Sequence, residues 1–371
     1  MPGRNDVVGE RGVPVGRNEA LWLLSPRGPD EVRPAPEPVA GPGEVVVRVR
    51  AVAVNPVDAI RGNLRRIITP WVRYPTILGS DVSGQVSAVG PDVTRLAVGD
   101  RVVGYAAGGE KQRNSAAEGG FQRLVVLLAR MTAVIPDGLA YERACVLPLA
   151  LATAAAGLFE LDQLALPYPT ADPTPRDGQT VLVWGASTSV GCNAVQLARA
   201  AGFAVVATAG TPNHDLVRGL GAETVVDYRA DDVDLRVVDA LRGRHLAGTI
   251  AIGRGSLTHA LRVARRTAGS RRIASAYPDP VTRARALLAR PRGIHVSSVW
   301  GGTPVQSPVG LAVFENYLPA ALAAHAFRPA PDPVVVGQGL HAVPEALERL
   351  RQGVSAAKLV VTLDADPVDS E

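Results

Sequence analysis

From Val181 to Gly202 the chain reads VLVWGASTSVGCNAVQLARAAG: an apolar run, a turn of small residues, and an Ala-rich stretch ending in glycine. A small-residue turn between a buried strand and a helix leaves backbone N–H groups free at the positive end of the helix, where a dinucleotide pyrophosphate binds. The spacing departs from G-x-G-x-x-G. Gly185 and Gly191 stand at the outer ends, and Ala186, Ser187, Thr188, Ser189 and Val190 fill the interval. An ordinary strand–turn–helix corner has the same local look, but the second apolar strand, Ala204 to Gly210, favours the dinucleotide site. An NAD site wants an acid roughly 20 residues on, at the end of the second strand, to hold the ribose 2′-hydroxyl. That place reads TAGTPNH, with no carboxylate before Asp215. Thr211 and His214, with Arg218 close by and Tyr228 and Arg229 after the third strand, suit a 2′-phosphate instead. The expected cofactor is NADPH.

These residues need a frame to hold them. Apolar strands without alternation, separated by helices, run from Thr180 to about Tyr277 and indicate parallel βαβ units, an α/β arrangement. Before them the chain is β-rich. Ala20 to Leu24 is a short strand, Glu44 to Ala53 alternates apolar and charged residues, and Asp81 to Val89, Asp100 to Tyr105 and Phe121 to Leu128 are strands between Gly-containing turns. An Ala- and Leu-rich helical stretch from Tyr141 and a Pro-rich loop, Leu166 to Gln179, join the two regimes. After Ile294 to Trp300, a strand, the pattern gives helices at Leu311 to Phe327 and Ala342 to Gln352 and a strand at Lys358 to Leu363. Periodicity leaves open whether this end closes the β/α unit or returns to the first.

Length and composition exclude several classes. The chain has 371 residues, with 47% hydrophobic and 20% charged residues, so it is globular and sized for two or three domains. Its 39 Lys+Arg and 35 Asp+Glu give a net charge of +4 with no basic run interleaved with aromatics, which argues against a nucleic-acid surface. Nearly all the basic residues are arginine, a mark of G+C-rich coding that suggests a bacterial owner. Two cysteines, Cys145 and Cys192, build neither a disulfide framework nor a zinc cluster and suit a reducing cytoplasm. No window holds about 18 uninterrupted apolar residues, so no membrane span is expected. The first 17 residues lack the apolar core of a signal peptide and read as a loose tail.

From Asn18 to Leu363 the chain resembles the medium-chain dehydrogenase/reductase superfamily. The motifs that carry this occur in order: AVAVNPVDAIRG, YPTILGSDVSGQVSAVG, VGDRVVGY, LPLALATAAAGLF, VLVWGASTSVG and DYR. Together they look like the zinc-free, quinone-reductase-like branch, and most closely like the trans-acting enoyl reductases that serve polyketide synthases. The family's zinc enzymes carry a cysteine where this chain has Asn55, and Gly-His-Glu where it has Gly79-Ser80-Asp81. Gly104 to Gly120 also lacks the cysteines of a structural zinc lobe, so no metal is expected. The resemblance implies a GroES-like, mostly β catalytic domain over residues 18–150 and 300–371. Between its two parts it implies a Rossmann doubly wound parallel-sheet NADPH-binding domain over 151–299.

The same resemblance implies roles. Thr153 holds the nicotinamide amide, Asn55 lies beside the ring, Ser80 and Asp81 order the loop, Lys358 contacts a cofactor phosphate, and Trp300, Gly301 and Thr303 form the loop over the nicotinamide. The implied reaction is conjugate hydride transfer from NADPH to an activated alkene, free or tethered to a carrier protein, with a polyketide synthase as partner and a monomeric or homodimeric enzyme. Tyr105 and Tyr317 are candidate proton donors, and no acid stands out. The rival readings are an NADPH quinone reductase, a tailoring reductase or cyclase of a small free intermediate, and a non-catalytic NADPH-binding protein.

Overall fold

Residues 18–277 and 280–363 are described by the computed structural model, and the segment read as a loose tail lies outside them. Six parallel strands form one sheet, in the order Thr224–Asp227, Ala204–Ala209, Gln179–Trp184, His245–Ala251, Arg272–Ser275, His295–Ser298. Numbered along the chain this is 3-2-1-4-5-6, the doubly wound dinucleotide-binding order. The order reverses beside Gln179–Trp184, and ligands bind off the carboxyl ends of the strands at such a switch point. Val181, Leu182 and Val183 are fully buried, which is why the strand reads as a continuous apolar run.

A second, seven-stranded sheet is mostly antiparallel. Its path runs Asp332–Gln338, Ala357–Thr362, Glu44–Ala53, Asp81–Val89, Arg101–Tyr105, Thr132–Val134, with Leu124–Leu128 also paired to Glu44–Ala53. Val360 lies opposite Ala53, and Thr362 opposite Ala51, so the C-terminal strand joins the β-rich sheet. A three-stranded sheet of Asp30–Pro34, Glu19–Leu23 and Thr76–Ile77 completes the β structure.

The helix Pro148–Phe159 couples the two sheets. Its run with the preceding turn, Tyr141–Phe159, is long and apolar enough to cross a membrane, but it is 78% buried inside the protein. Gly157 brings the helix so close to the parallel sheet that a Cβ there would meet the Ile250 side chain at 2.8 Å. One apolar cluster runs from Ala51 and Val103 through Leu151 and Leu158 to Val183 and Val205. Burial on both flanks is worth roughly 1.5–3 kcal/mol for each such leucine or valine, so the two regimes share a core.

Pattern reading missed several elements, among them the helices Gly62–Ile68 and Pro280–Ala289, the short strands Thr76–Ile77 and Thr132–Val134, and the edge strand Asp332–Gln338. The edge strand is largely exposed and carries Pro333, so it shows neither a buried run nor a clean alternation. The helix expected over Leu311 to Phe327 is a π-helix, Leu311–Tyr317, followed by an α-helix, Leu318–Ala323. Pro319 lacks an N–H and its ring would meet the Glu315 carbonyl in an α-helix, so the preceding turns widen.

Candidate active site

Four chain segments converge on one buried carboxylate, that of Asp81, which is 0% exposed at the first position of its strand. The Asn55 side-chain amide donates to its Oδ2 at 2.8 Å, and the Leu149 backbone N–H at the start of the coupling helix donates to its Oδ1 at 2.6 Å. The Lys358 ammonium, from the C-terminal strand, lies 2.8 Å from Oδ2 and also donates to the Asn55 side-chain carbonyl. A buried charge persists only when it is paired and hydrogen-bonded, and Asp81 has both. Lys358, expected at a cofactor phosphate, thus has two of its three N–H donors engaged inside this cluster, leaving one. Beneath it Asp58 accepts from the backbone N–H groups of Asn55 and Gly79. Burial, reinforced by the Asp81 charge, pushes its carboxyl up to about 6.

Beside this cluster stands a second one. Tyr105, opposite Asp81 in the adjoining strand, donates to Glu110 Oε1 at 2.6 Å, and Trp300 Nε1 donates to Oε2 at 2.8 Å. Burial pushes the Tyr105 phenol well above its ordinary range, with the Glu110 charge adding to it, and burial also raises the Glu110 carboxyl. The turn after Trp300 is clamped between the two domains. A Cβ on Gly301 would lie 2.5 Å from the Thr153 hydroxyl, and one on Gly302 would lie 2.0 Å from the Glu110 carboxyl. Thr153 donates its proton to the Leu149 carbonyl at 2.7 Å, so toward a ligand its oxygen is an acceptor. Thr303 closes the turn by donating to the Trp300 carbonyl at 2.9 Å. Tyr317, the other tyrosine considered as a donor, packs edge-to-face on Phe327, and burial raises its phenol to about 12. Cys145 and Cys192 are buried thiols, both raised by burial, which suits core residues rather than nucleophiles.

The phosphate turn follows Trp184. Gly185 has φ +84, and a Cβ on Gly191 would sit 2.3 Å from the Gly185 carbonyl, so both ends of the turn need glycine. Thr188 caps the helix Ser189–Ala200: its hydroxyl accepts from the Gly191 N–H at 3.0 Å and donates to the Gly185 carbonyl at 2.8 Å. The Ala186 N–H is taken by the Thr208 carbonyl. Among the described residues nothing accepts from the backbone N–H groups of Ser187, Ser189 and Val190, and no acid lies in the first helical turn to neutralise its positive end. An open donor set without a competing carboxylate fits a pyrophosphate.

The 2′ end departs from the sequence reading. Thr211 donates its one hydroxyl proton to Asp227, at the end of Thr224–Asp227, so in this arrangement it has none left for a phosphate. That hydrogen bond, chiefly, holds the Asp227 carboxyl below the usual range. The acid beside this pocket therefore comes from the third strand. The second strand itself ends without one, and Asp227 lies opposite its last residue, Ala209. The His214 ring meets the Ala209 carbonyl at 3.2 Å and Arg218 pairs with Asp215. Among the described residues, Arg229 is a cationic donor at this edge without an ion pair. Its guanidinium lies 3.4 Å from where a Gly210 Cβ would be and stacks 5.4 Å from the Tyr228 ring centre, with Tyr228 44% exposed.

Residues 41–137 match the alcohol dehydrogenase GroES-like domain. The dehydrogenase pigH of Monascus ruber is 42% identical over 93% of this chain and 99% of its own, and the trans-enoyl reductase himH of Aspergillus japonicus is 36% identical over 93% and 97%. This chain belongs to the medium-chain dehydrogenase/reductase superfamily. Among solved structures, an alcohol dehydrogenase superfamily protein from Novosphingobium aromaticivorans aligns over 94% of this chain and 100% of its own, with TM-score 0.71 and 26% identity. The CurK enoyl reductase shares the fold with TM-score 0.71 at 19% identity, over 94% and 100%. As a superfamily member the chain is an oxidoreductase that works with a nicotinamide cofactor.

The phosphate turn yields a test. Ser189→Leu places bulk in the donor cradle while leaving the buried strand intact. We expect it to fold and to lose cofactor affinity by more than about tenfold, or ~1.4 kcal/mol. Ser189→Ala keeps the backbone donors and loses less. Unchanged affinity in a Ser189→Leu protein with native circular dichroism would make the turn a packing corner only.

Proposed function

We propose that this protein is an NADPH-dependent reductase of activated C=C bonds that acts without a metal, in secondary-metabolite biosynthesis of the polyketide type. The observation that carries the reading is the Asn55–Asp81–Lys358 cluster. Asn55 stands where the family's zinc enzymes have a metal-binding cysteine and Ser80-Asp81 where they have His-Glu, and here an ammonium already lies between Asn55 and Asp81. A divalent cation there would meet a fixed positive charge and an amide in place of a thiolate. Among the described residues no group of three or more His, Cys, Asp or Glu is arranged to hold a metal. The trans-enoyl reductase names of himH, tndF and tazE, at 36%, 34% and 37% identity, support the C=C acceptor. The composition favours a bacterial source, whereas these relatives are fungal.

When bound, a reduced nicotinamide supplies a hydride. The chain's own residues do the rest. Ser187, Ser189 and Val190 offer backbone N–H donors to the pyrophosphate, Arg229 and Tyr228 offer a cationic edge to a 2′-phosphate, and Thr153 offers an acceptor to the carboxamide. Clamping the Trp300–Gly302 turn onto Thr153 and Glu110 orients the reacting groups.

Two outcomes are expected. NADPH binds more tightly than NADH by about 2 kcal/mol, roughly thirtyfold in Kd, because charge-assisted bonds to a phosphate contribute that much. Arg229→Ala closes most of the gap in a fluorescence titration, and equal constants in the parent protein would refute the phosphate site. In an acceptor assay, chelator-treated protein oxidises NADPH with an α,β-unsaturated thioester. Turnover with quinones alone, or a zinc requirement, would overturn the reading.

A further inference from the structure

A reductase of activated C=C bonds has to choose among acceptors, and the choice is made by the walls of the space that receives them. Beside the Trp300 turn lies a cavity of about 370 Å³, with Trp71, Lys111, Trp300, Gly302 and Thr303 in its walls. We infer that Trp71 and Trp300 form an aromatic corner that selects flat acceptors, whose C=C bond is conjugated to an aryl ring or a further planar π system, over aliphatic ones of equal size. The inference rests on the C=C reductase reading above for its chemistry, but the binding of a flat group in the corner does not.

Three observations carry it. First, the two indoles meet edge-to-face, with ring centres 6.0 Å apart and planes at 79°. A planar group stacked on either ring therefore stands near a right angle to the other and turns its edge toward it. Those are the two arrangements that ring quadrupoles favour, and a puckered group can take neither. Second, both rings are fixed through their polar edges by adjacent residues of one loop. Trp71 Nε1 donates to the Gly109 carbonyl at 3.0 Å, and Trp300 Nε1 donates to Glu110 Oε2 at 2.8 Å. The Asn114 side-chain amide donates to the Trp71 carbonyl at 2.9 Å, which ties the Trp71 backbone to the same loop. With both N–H groups used inside the protein, the half-buried indoles offer the cavity carbon surface. Third, the polar groups around the corner are already engaged. Glu110 accepts from Tyr105 and Trp300, Thr303 donates to the Trp300 carbonyl, and the Ser307 hydroxyl lies between Glu160 and the Val309 N–H. Lys111 and Gln112 are exposed at the rim, where water competes with any ligand.

The corner adjoins the cofactor side of the site. Trp300 opens the turn whose Gly301 lies against Thr153, the acceptor offered to the carboxamide. Conjugation keeps an aryl ring and its alkene in one plane, so a ring seated in the corner carries a preset orientation to the C=C bond beside it. Such an acceptor also has few rotors to freeze on binding, whereas an alkyl chain gives up several. The cavity is at the small end of ligand sites, which suits a ring or a short polyene. Two tryptophans that only braced the loop would bind flat and puckered groups alike.

The test compares two thioesters of N-acetylcysteamine, cinnamoyl and 3-cyclohexylacryloyl, which match in size and differ in whether the ring is flat. Each is titrated by calorimetry into the full chain saturated with NADP+, so that no turnover occurs. Binding is compared rather than rate, because aryl conjugation itself slows addition to the alkene. The cinnamoyl ester should bind more tightly by about fivefold or more. Trp71→Leu, which keeps apolar bulk without a ring, should bring the ratio to within about twofold, with Kd for NADPH within about twofold of the parent. Trp71→Phe, which restores a ring but not the hydrogen bond to Gly109, should recover most of the ratio. Equal affinities in the parent, or tighter binding of the cyclohexyl ester, overturn the corner without recourse to any variant. A ratio that survives undiminished in Trp71→Leu, or is lost as fully in Trp71→Phe, overturns it as well. Replacing NADP+ with NADPH separates this inference from the reading beneath it. A parent that binds the cinnamoyl ester selectively but reduces neither ester sinks the reductase reading and leaves the corner standing. One that reduces both but binds them equally sinks the corner alone.

Discussion

The ion pair between Asp81 and Lys358 is the interaction on which the site depends. It joins the C-terminal strand to the strand Asp81–Val89, and through Asn55 and the Leu149 N–H it reaches the strand Glu44–Ala53 and the helix that enters the nucleotide domain. Removing one partner of such a pair typically costs 3–5 kcal/mol, because the other charge stays buried and uncompensated. The pair therefore fixes more than local geometry. It sets the position of Thr153 one helical turn beyond Leu149, and so the distance from the β-rich sheet to the Trp300 turn.

That constraint gives one reason why this site can be rigid. Where a zinc enzyme gathers its ligands around a cation from solution, this chain supplies the cation from its own strand. The charge cannot leave, and its ammonium has one donor to spare for a bound group. Next to it, Glu110 has neither a cation nor full exposure to water. The two carboxylates thus live in contrasting environments, one paired with an ammonium and one held by two neutral donors.

Much of the frame was legible in the residues. The uninterrupted apolar strands, the alternation in Glu44–Ala53 and the small-residue turn at Gly185 to Gly191 are local signals, and the elements that they indicated are present. The partnerships were less legible, because they join residues far apart in the chain. Glu110 stands in a loop reading AAGGEKQ, with nothing local to distinguish it from a solvated acid, and Trp300 reaches it from 190 positions away. Lys358 was expected at a cofactor phosphate rather than in an ion pair for the same reason, since Asn55 lies 303 residues earlier. Asp227 was passed over because the search for an acid followed one strand, while the sheet brings the end of the neighbouring strand to the same edge. The π-helix came from Pro319 acting on the turns before it, an effect that apolar periodicity does not carry.

The central claim is that hydride moves from NADPH to the carbon β to an electron-withdrawing group without a metal. The most direct measurement is isotopic. Chelator-treated protein is given NADPH deuterated at C4 and an α,β-unsaturated thioester in ordinary water, and the product is analysed by mass spectrometry and NMR. The account predicts one deuterium at the β-carbon and one solvent hydrogen at the α-carbon of a saturated thioester. Deuterium at the carbonyl carbon, or product formed only after zinc is restored, would contradict it.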